Sequence, residues 1–226
     1  RMAYVDPITA QQVAEAAVQA GVITSNDDNA LLTVEENRAS MIFNDWNDHR
    51  VGADIICYMN GYNDPRREKM FTTVKVKETV GGKPTDVDGY AGVRIGIDVP
   101  NKDNVKDRYS KPITSTTSPY MWINAAEITF LRAEGALRGW SMGGEAKTLY
   151  EQAINLSFEQ YGASGADTYI ADATSQPQAY TDPTGSYSAG QTSSITIAWQ
   201  DGSSNDEANL ERIITQKWIA MFPCTV

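Results

Sequence analysis

Trp46 stands among Asn44, Asp45, Asn47 and Asp48, an aromatic face ringed by planar hydrogen-bonding groups. That combination can hold a pyranose, the ring covering the apolar C–H side while amides and carboxylates reach the hydroxyls. Its plainer reading is a packing residue on a polar turn. The run from Tyr58 to Arg66 repeats the chemistry through Tyr62 and Asn63, but Asp64 followed by Pro65 reads first as a turn. Tyr90 and, more weakly, Tyr109, Tyr180, Tyr187 and Trp199 lie in loop-rich stretches. Trp122, Trp140 and Trp218 fall in or beside helical patterns and are expected in the core. Asn26, Asp27, Asp28 and Asn29 line up four oxygen-bearing side chains that could serve a hard cation, yet the spacing is not that of an EF-hand and a capped turn is the better reading. Glu127 and Glu134, seven apart on one helical face, resemble the acid/base pair of a glycosidase. Pairing with Arg132 or Arg138, or a solvated face, explains them better.

Other chemistries are narrowed by counting. His49 is the only histidine, so any His-dependent triad or multi-His metal site would have to use it, and its neighbours Asp48 and Arg50 suggest a polar surface stretch. Cys57 and Cys224 form no C-x-x-C, which argues against a zinc cluster; buried thiols are the expectation, with a disulfide left open. Phosphate-loop, dinucleotide and nucleophile-elbow motifs are absent. No cofactor, metal site or catalytic residue is expected. A formal net charge of −10 disfavours nucleic acid and anionic lipid surfaces. No apolar run approaches the roughly 20 residues of a spanning helix. Arg1 followed by Met2 reads as an interior cut, so missing targeting signals carry no weight.

The elements that must position these residues are mostly helical, and 226 residues suffice for one sizeable core or two small ones. Asp6 and Pro7 fit the cap and first position of a helix that Gly21 stops. A shorter helical or irregular stretch follows through Met41, Ile42 and Phe43. Glycine and proline punctuate the chain between Trp46 and Pro119, where long helices do not fit. Phe71 to Lys77 alternates as a strand ended by Gly81-Gly82, in at most a small hairpin. Ser118-Pro119 is expected to open a helix reaching about Arg138, and residues 145 to 161 form its partner, antiparallel across a short loop. Residues 162 to about 204 read as a long loop, with Ile195 to Trp199 the best candidate for an element within it. The last helix is expected near Ser204, with Glu207 completing a capping box.

Phe130, Ala133 and Leu137, then Ala146, Tyr150 and Ala153, follow the tetratricopeptide spacing of large residues at helix ends and small ones at the crossing. Four stretches are more specific: Val22 to Asn29, Tyr58 to Arg66, Ala126 to Gly139, and Glu211 to Ala220. On these the chain resembles the SusD/RagB family of glycan-binding outer-membrane lipoproteins of the Bacteroidetes. The resemblance implies a mostly α fold of tetratricopeptide-like helix pairs with long irregular loops. It implies one domain over 1–226, incomplete at both ends: helical over 1–45, a loop-rich insertion over 46–118, a helix pair over 119–161, a loop over 162–204 and a C-terminal helix over 205–222.

It further implies non-catalytic binding of an oligosaccharide or polysaccharide at the cell surface, delivered to a TonB-dependent, SusC-like transporter. The membrane would be met only through an N-terminal lipid anchor preceding Arg1. Trp46, Asn47, Tyr62, Asn63 and Tyr90 are then the candidate glycan contacts. A protein–protein adaptor of the tetratricopeptide type and a peptide-binding member of the same family are the alternatives. Long loop insertions speak against the adaptor, and no carboxylate pair stands out for a glycoside hydrolase.

Overall fold

The computed structural model describes residues 2–99, 101, 103 and 105–222. They are mostly helical, with two small two-stranded sheets, and cluster into two compact units, each assembled from separated stretches of chain.

The first unit comprises Arg1–Leu31, Met121–Ala173 and Ala198–Thr225. It opens with α1 (Met2–Val5) and α2 (Pro7–Ala20). As expected, Asp6 caps α2, its carboxylate accepting the Thr9 N–H at 3.1 Å, with Pro7 at the start and Gly21 at the end. At its centre, α6 (Ala125–Leu137) and α7 (Ala146–Gln160) form the antiparallel pair. Ala125, Ala126, Phe130 and Ala133 of α6 are buried, as are Leu149, Tyr150, Ala153 and Ile154 of α7. Small residues let the backbones approach while Phe130 and Tyr150 meet edge to face at 6.2 Å. Two further elements complete this core, α8 (Ala166–Ile170) and α9 (Asp206–Met221), the latter burying Ile213, Ile219 and Ala220.

Several boundaries and burial states differ from expectation. Ser118-Pro119 does not open α6. Tyr120–Ile123 is instead a strand, β4, paired with β1 (Ala30–Leu32), as suits two aromatics and an isoleucine in four residues. The cap is Asn124, whose side-chain oxygen accepts the Glu127 N–H at 2.6 Å. Trp122, expected in the core, is 70% exposed because it lies on this strand and not on the packed helix. The Ser204 capping box is also absent. A 3-10 turn over Ser203–Asn205 leads into α9, and Asn205 spends its amide on the Asp201 carbonyl. Ile195 to Trp199 forms no regular element, although Ile195 and Ile197 are buried.

The second unit comprises Leu32–Tyr120 and Thr174–Ile197. Its helices are α3 (Arg38–Asn44), α4 (Ala53–Gly61) and α5 (Arg67–Met70). Ile55, Ile56 and Met59 of α4 are buried, as are Met70 at the end of α5 and Phe71 just after it. Gly61 ends α4 where no side chain would fit: a Cβ there would lie 2.1 Å from the Gln176 carbonyl oxygen. The hairpin is β2 (Val74–Val80) with β3 (Lys83–Gly89), turning at Gly81-Gly82, both at positive φ as a tight hairpin turn requires. Lys75 faces Asp88 and Lys77 faces Asp86 across the register, with nitrogen–oxygen distances of 2.9 and 2.6 Å. Cys57 is buried against Ala53 and Tyr180, and burial, helped by Asp54, pushes its thiol up to about 11. Cys224 lies outside the described residues.

Candidate functional site

Within the second unit, the segment entering α3 builds an open groove. Asn37 caps the helix by accepting the Ala39 N–H at 3.0 Å, and donates its own amide to the Ser118 carbonyl at 2.7 Å. Its backbone N–H reaches the Thr116 carbonyl, and the Ser40 hydroxyl returns to the Asn37 carbonyl. These bonds fasten the first turn of α3 to the strand carrying Tyr120, whose hydroxyl accepts from the Ala39 N–H at 3.4 Å. At the other end of α3 the backbone N–H of Trp46 closes on the Met41 carbonyl at 2.8 Å, turning the chain so that the indole stands 56% exposed. Trp46, Tyr120, Ala39, Met41 and Ile42 line a groove of about 380 Å³, with Glu36 and Arg38 as its charged members. The volume falls in the range of ordinary ligand sites.

The five candidate contacts do not assemble into one site. Trp46 lies in the groove. Asn47 follows at φ 60 as a turn residue, its side-chain oxygen and its carbonyl both accepting from Arg50. Tyr62 is 2% exposed and donates its hydroxyl to the Ile195 carbonyl at 3.0 Å, so it is an interior residue and offers no ring face to a ligand. Asn63 is exposed at φ 49 and makes the turn into Asp64. Tyr90 is half-buried beneath the Arg67 guanidinium, 5.0 Å from its ring centre, while Asn60 links the two by donating to the Tyr90 carbonyl and accepting from Arg67. Burial pushes the Tyr90 hydroxyl up. Tyr120, Arg38, Glu36, Met41 and Ile42 were not anticipated as site residues; Tyr120 in particular was assigned to a helix.

A second hollow of about 250 Å³ lies against Ile97, Asp98, Arg108, Tyr109, Thr184 and Tyr187. Behind it, buried Asp182 accepts the hydroxyls of Tyr109 (2.7 Å), Tyr180 (3.2 Å) and Thr184 and the N–H groups of Ser186 and Tyr187. Burial alone raises the Asp182 carboxyl, but the donors from Thr184, Tyr109 and Tyr187 outweigh it and hold the group below its ordinary value. The Tyr109 hydroxyl is pushed up to about 12, first by burial and then by Asp182. This is a locked turn, built around a carboxylate saturated with donors.

The other charged groups lie outside these two hollows. Asn26 donates to the Leu156 carbonyl and the Glu159 carboxylate, and Asn29 accepts the Ala125 N–H at 2.7 Å, so the acidic run is a capped 3-10 turn stapled to the helix pair. Among the described residues no group of three His, Cys, Asp or Glu side chains is placed to hold a metal. Glu134 pairs with Arg138 at 2.9 Å, as expected. Burial raises the Glu127 carboxyl, opposed by Lys217. His49 is exposed, its ring edge-on to Phe43.

The SusD-like family model, described as Susd and RagB outer membrane lipoprotein, matches residues 1–226. The chain belongs to the SusD-like family. A SusD homologue from Bacteroides thetaiotaomicron is 54% identical with a TM-score of 0.92, over 99% of this chain and 46% of that one. A SusD homologue from Bacteroides uniformis is 41% identical with a TM-score of 0.87, over 99% of this chain and 46% of the other. A chitin-binding SusD homologue from Flavobacterium johnsoniae is 41% identical with a TM-score of 0.85, over 98% of this chain and 45% of its own. No curated protein matches. This SusD-like chain therefore spans less than half the length of the solved relatives it matches.

Proposed function

We propose that this chain binds oligosaccharide or polysaccharide without catalysis, as part of a cell-surface lipoprotein that passes its ligand to a SusC-like, TonB-dependent outer-membrane transporter. The observation that carries the reading is Trp46, 56% exposed over an apolar groove on a pinned helix, in a family of outer-membrane lipoproteins. An exposed indole over such a groove is a sugar platform, and the chitin-binding relative supports a glycan as the ligand class. Protein contact is a second use, favoured in the first unit by exposed Val5, Ile8 and Trp122. These side chains support a protein-facing role such as transporter docking.

A glycan array probed with the parent protein and with Trp46→Ala tests the binding. The parent should capture at least one polysaccharide fragment and release it unaltered, and the variant should bind it at least about tenfold more weakly while keeping its melting temperature. An array with no Trp46-dependent hit would sink the assignment. Co-purification with an outer-membrane transporter, weakened by Trp122→Ser, tests the partnership.

A further inference from the structure

We propose that the Trp46 groove selects the acetamido group of an N-acetylhexosamine unit over the hydroxyl that a neutral hexose carries at the same carbon. The selectivity rests on the glycan reading and deepens it. The lining is the first argument. Apart from Glu36 and Arg38, the groove presents Ala39, Met41 and Ile42 beside the rings of Trp46 and Tyr120. The Tyr120 hydroxyl already accepts from the Ala39 N–H. Where carbon 2 rests on these methyl and thioether groups, a hydroxyl gives up water there without gaining a partner. The methyl of an acetamido group gains from that same burial.

The charged pair is the second argument. Glu36 Oε2 and Arg38 Nε lie 3.9 Å apart, and their side chains are 53% and 85% exposed. A carboxylate and a guanidinium side by side offer an acceptor and a donor together, which is what an amide requires: its N–H can donate to Glu36 and its C=O can accept from Arg38. The pair is also neutral as a whole. A groove selecting uronates or sulfate esters would need a surplus of positive charge, and Glu36 offsets Arg38 here. Placement is the third argument. Arg38 and Ala39 sit in the first turn of α3, which Asn37 holds to the segment bearing Tyr120, so the backbone from which Arg38 projects keeps a fixed relation to the Tyr120 wall.

Oligomers of β-1,4-linked N-acetylglucosamine and of β-1,4-linked glucose, matched in length, share a backbone and differ at carbon 2. Calorimetric titration of the protein with both should give about tenfold tighter binding of the acetamido oligomer, the worth of one buried methyl plus one hydrogen bond. Glu36→Gln, at an exposed position, should cut that preference severalfold, and Ile42→Ser should do the same where circular dichroism shows α3 intact. Equal affinities, tighter binding of the glucose oligomer, binding of neither, or a preference that Glu36→Gln leaves unchanged would each overturn the proposal. Trp46-dependent capture of other glycans alongside any of these results would leave glycan binding standing. No Trp46-dependent capture at all would remove both.

Discussion

Tyr62 and Trp46 carry similar chemistry in the sequence and end in opposite places. One ring closes the interior of its unit, its hydroxyl donating to the Ile195 carbonyl 133 positions away, and the other stands in solvent. Tyr62→Phe should therefore cost about 1 kcal/mol in chemical denaturation and leave glycan affinity unchanged. Asp182 makes a second residue-scale statement. Its carboxyl is held below its ordinary value, so its contribution to stability is complete above the unfolded-state value near 3.9 and is lost as pH falls through the lower folded value. Asp182→Asn cannot titrate. Between about pH 5 and pH 2 its melting temperature should fall less steeply than the parent's, though it starts lower; parallel curves would show that the donors around Asp182 do not stabilise its charge.

Helices announced by their own caps were legible in the sequence. Asp6 with Pro7 marks α2, and the small residues Ala126, Ala133 and Ala153 mark the crossing of α6 and α7. The hairpin was legible from alternation and the double glycine. What stayed hidden depends on distant partners. Ser118-Pro119 mimics a helix start locally, but the strand at Tyr120 exists because β1 pairs with it, and that moves the cap to Asn124. The groove was hidden for the same reason, since the meeting of Tyr120 with α3 spans 81 positions and no local period records it. Asn124→Ala should lower stability by about 1 kcal/mol, seen as a reduced denaturation midpoint with an unchanged slope. An effect near zero would mean that packing of α6 on α7 alone fixes the start.

For the molecule as a whole, a costly side chain to remove lies in neither hollow. Arg66 and Asp64 are fully buried and joined at 2.6 Å, with the same carboxylate accepting the Arg66 backbone N–H at 2.9 Å. Arg66→Ala leaves a carboxylate in the interior without its guanidinium and should cost about 3–5 kcal/mol. In a chain of this size that is a fall of roughly 10 °C or more in melting temperature, measurable by calorimetry. A change of a degree or two would assign the pair a minor role.

The interleaving of the two units also sets an order of events during synthesis. Helices α1 and α2 are translated before the rest of their unit described here, whose later helices begin only after Met121, with the whole first stretch of the other unit translated in between. Neither unit is a continuous stretch of chain, so α1 and α2 must wait for α6 to α9 before their shared core can close.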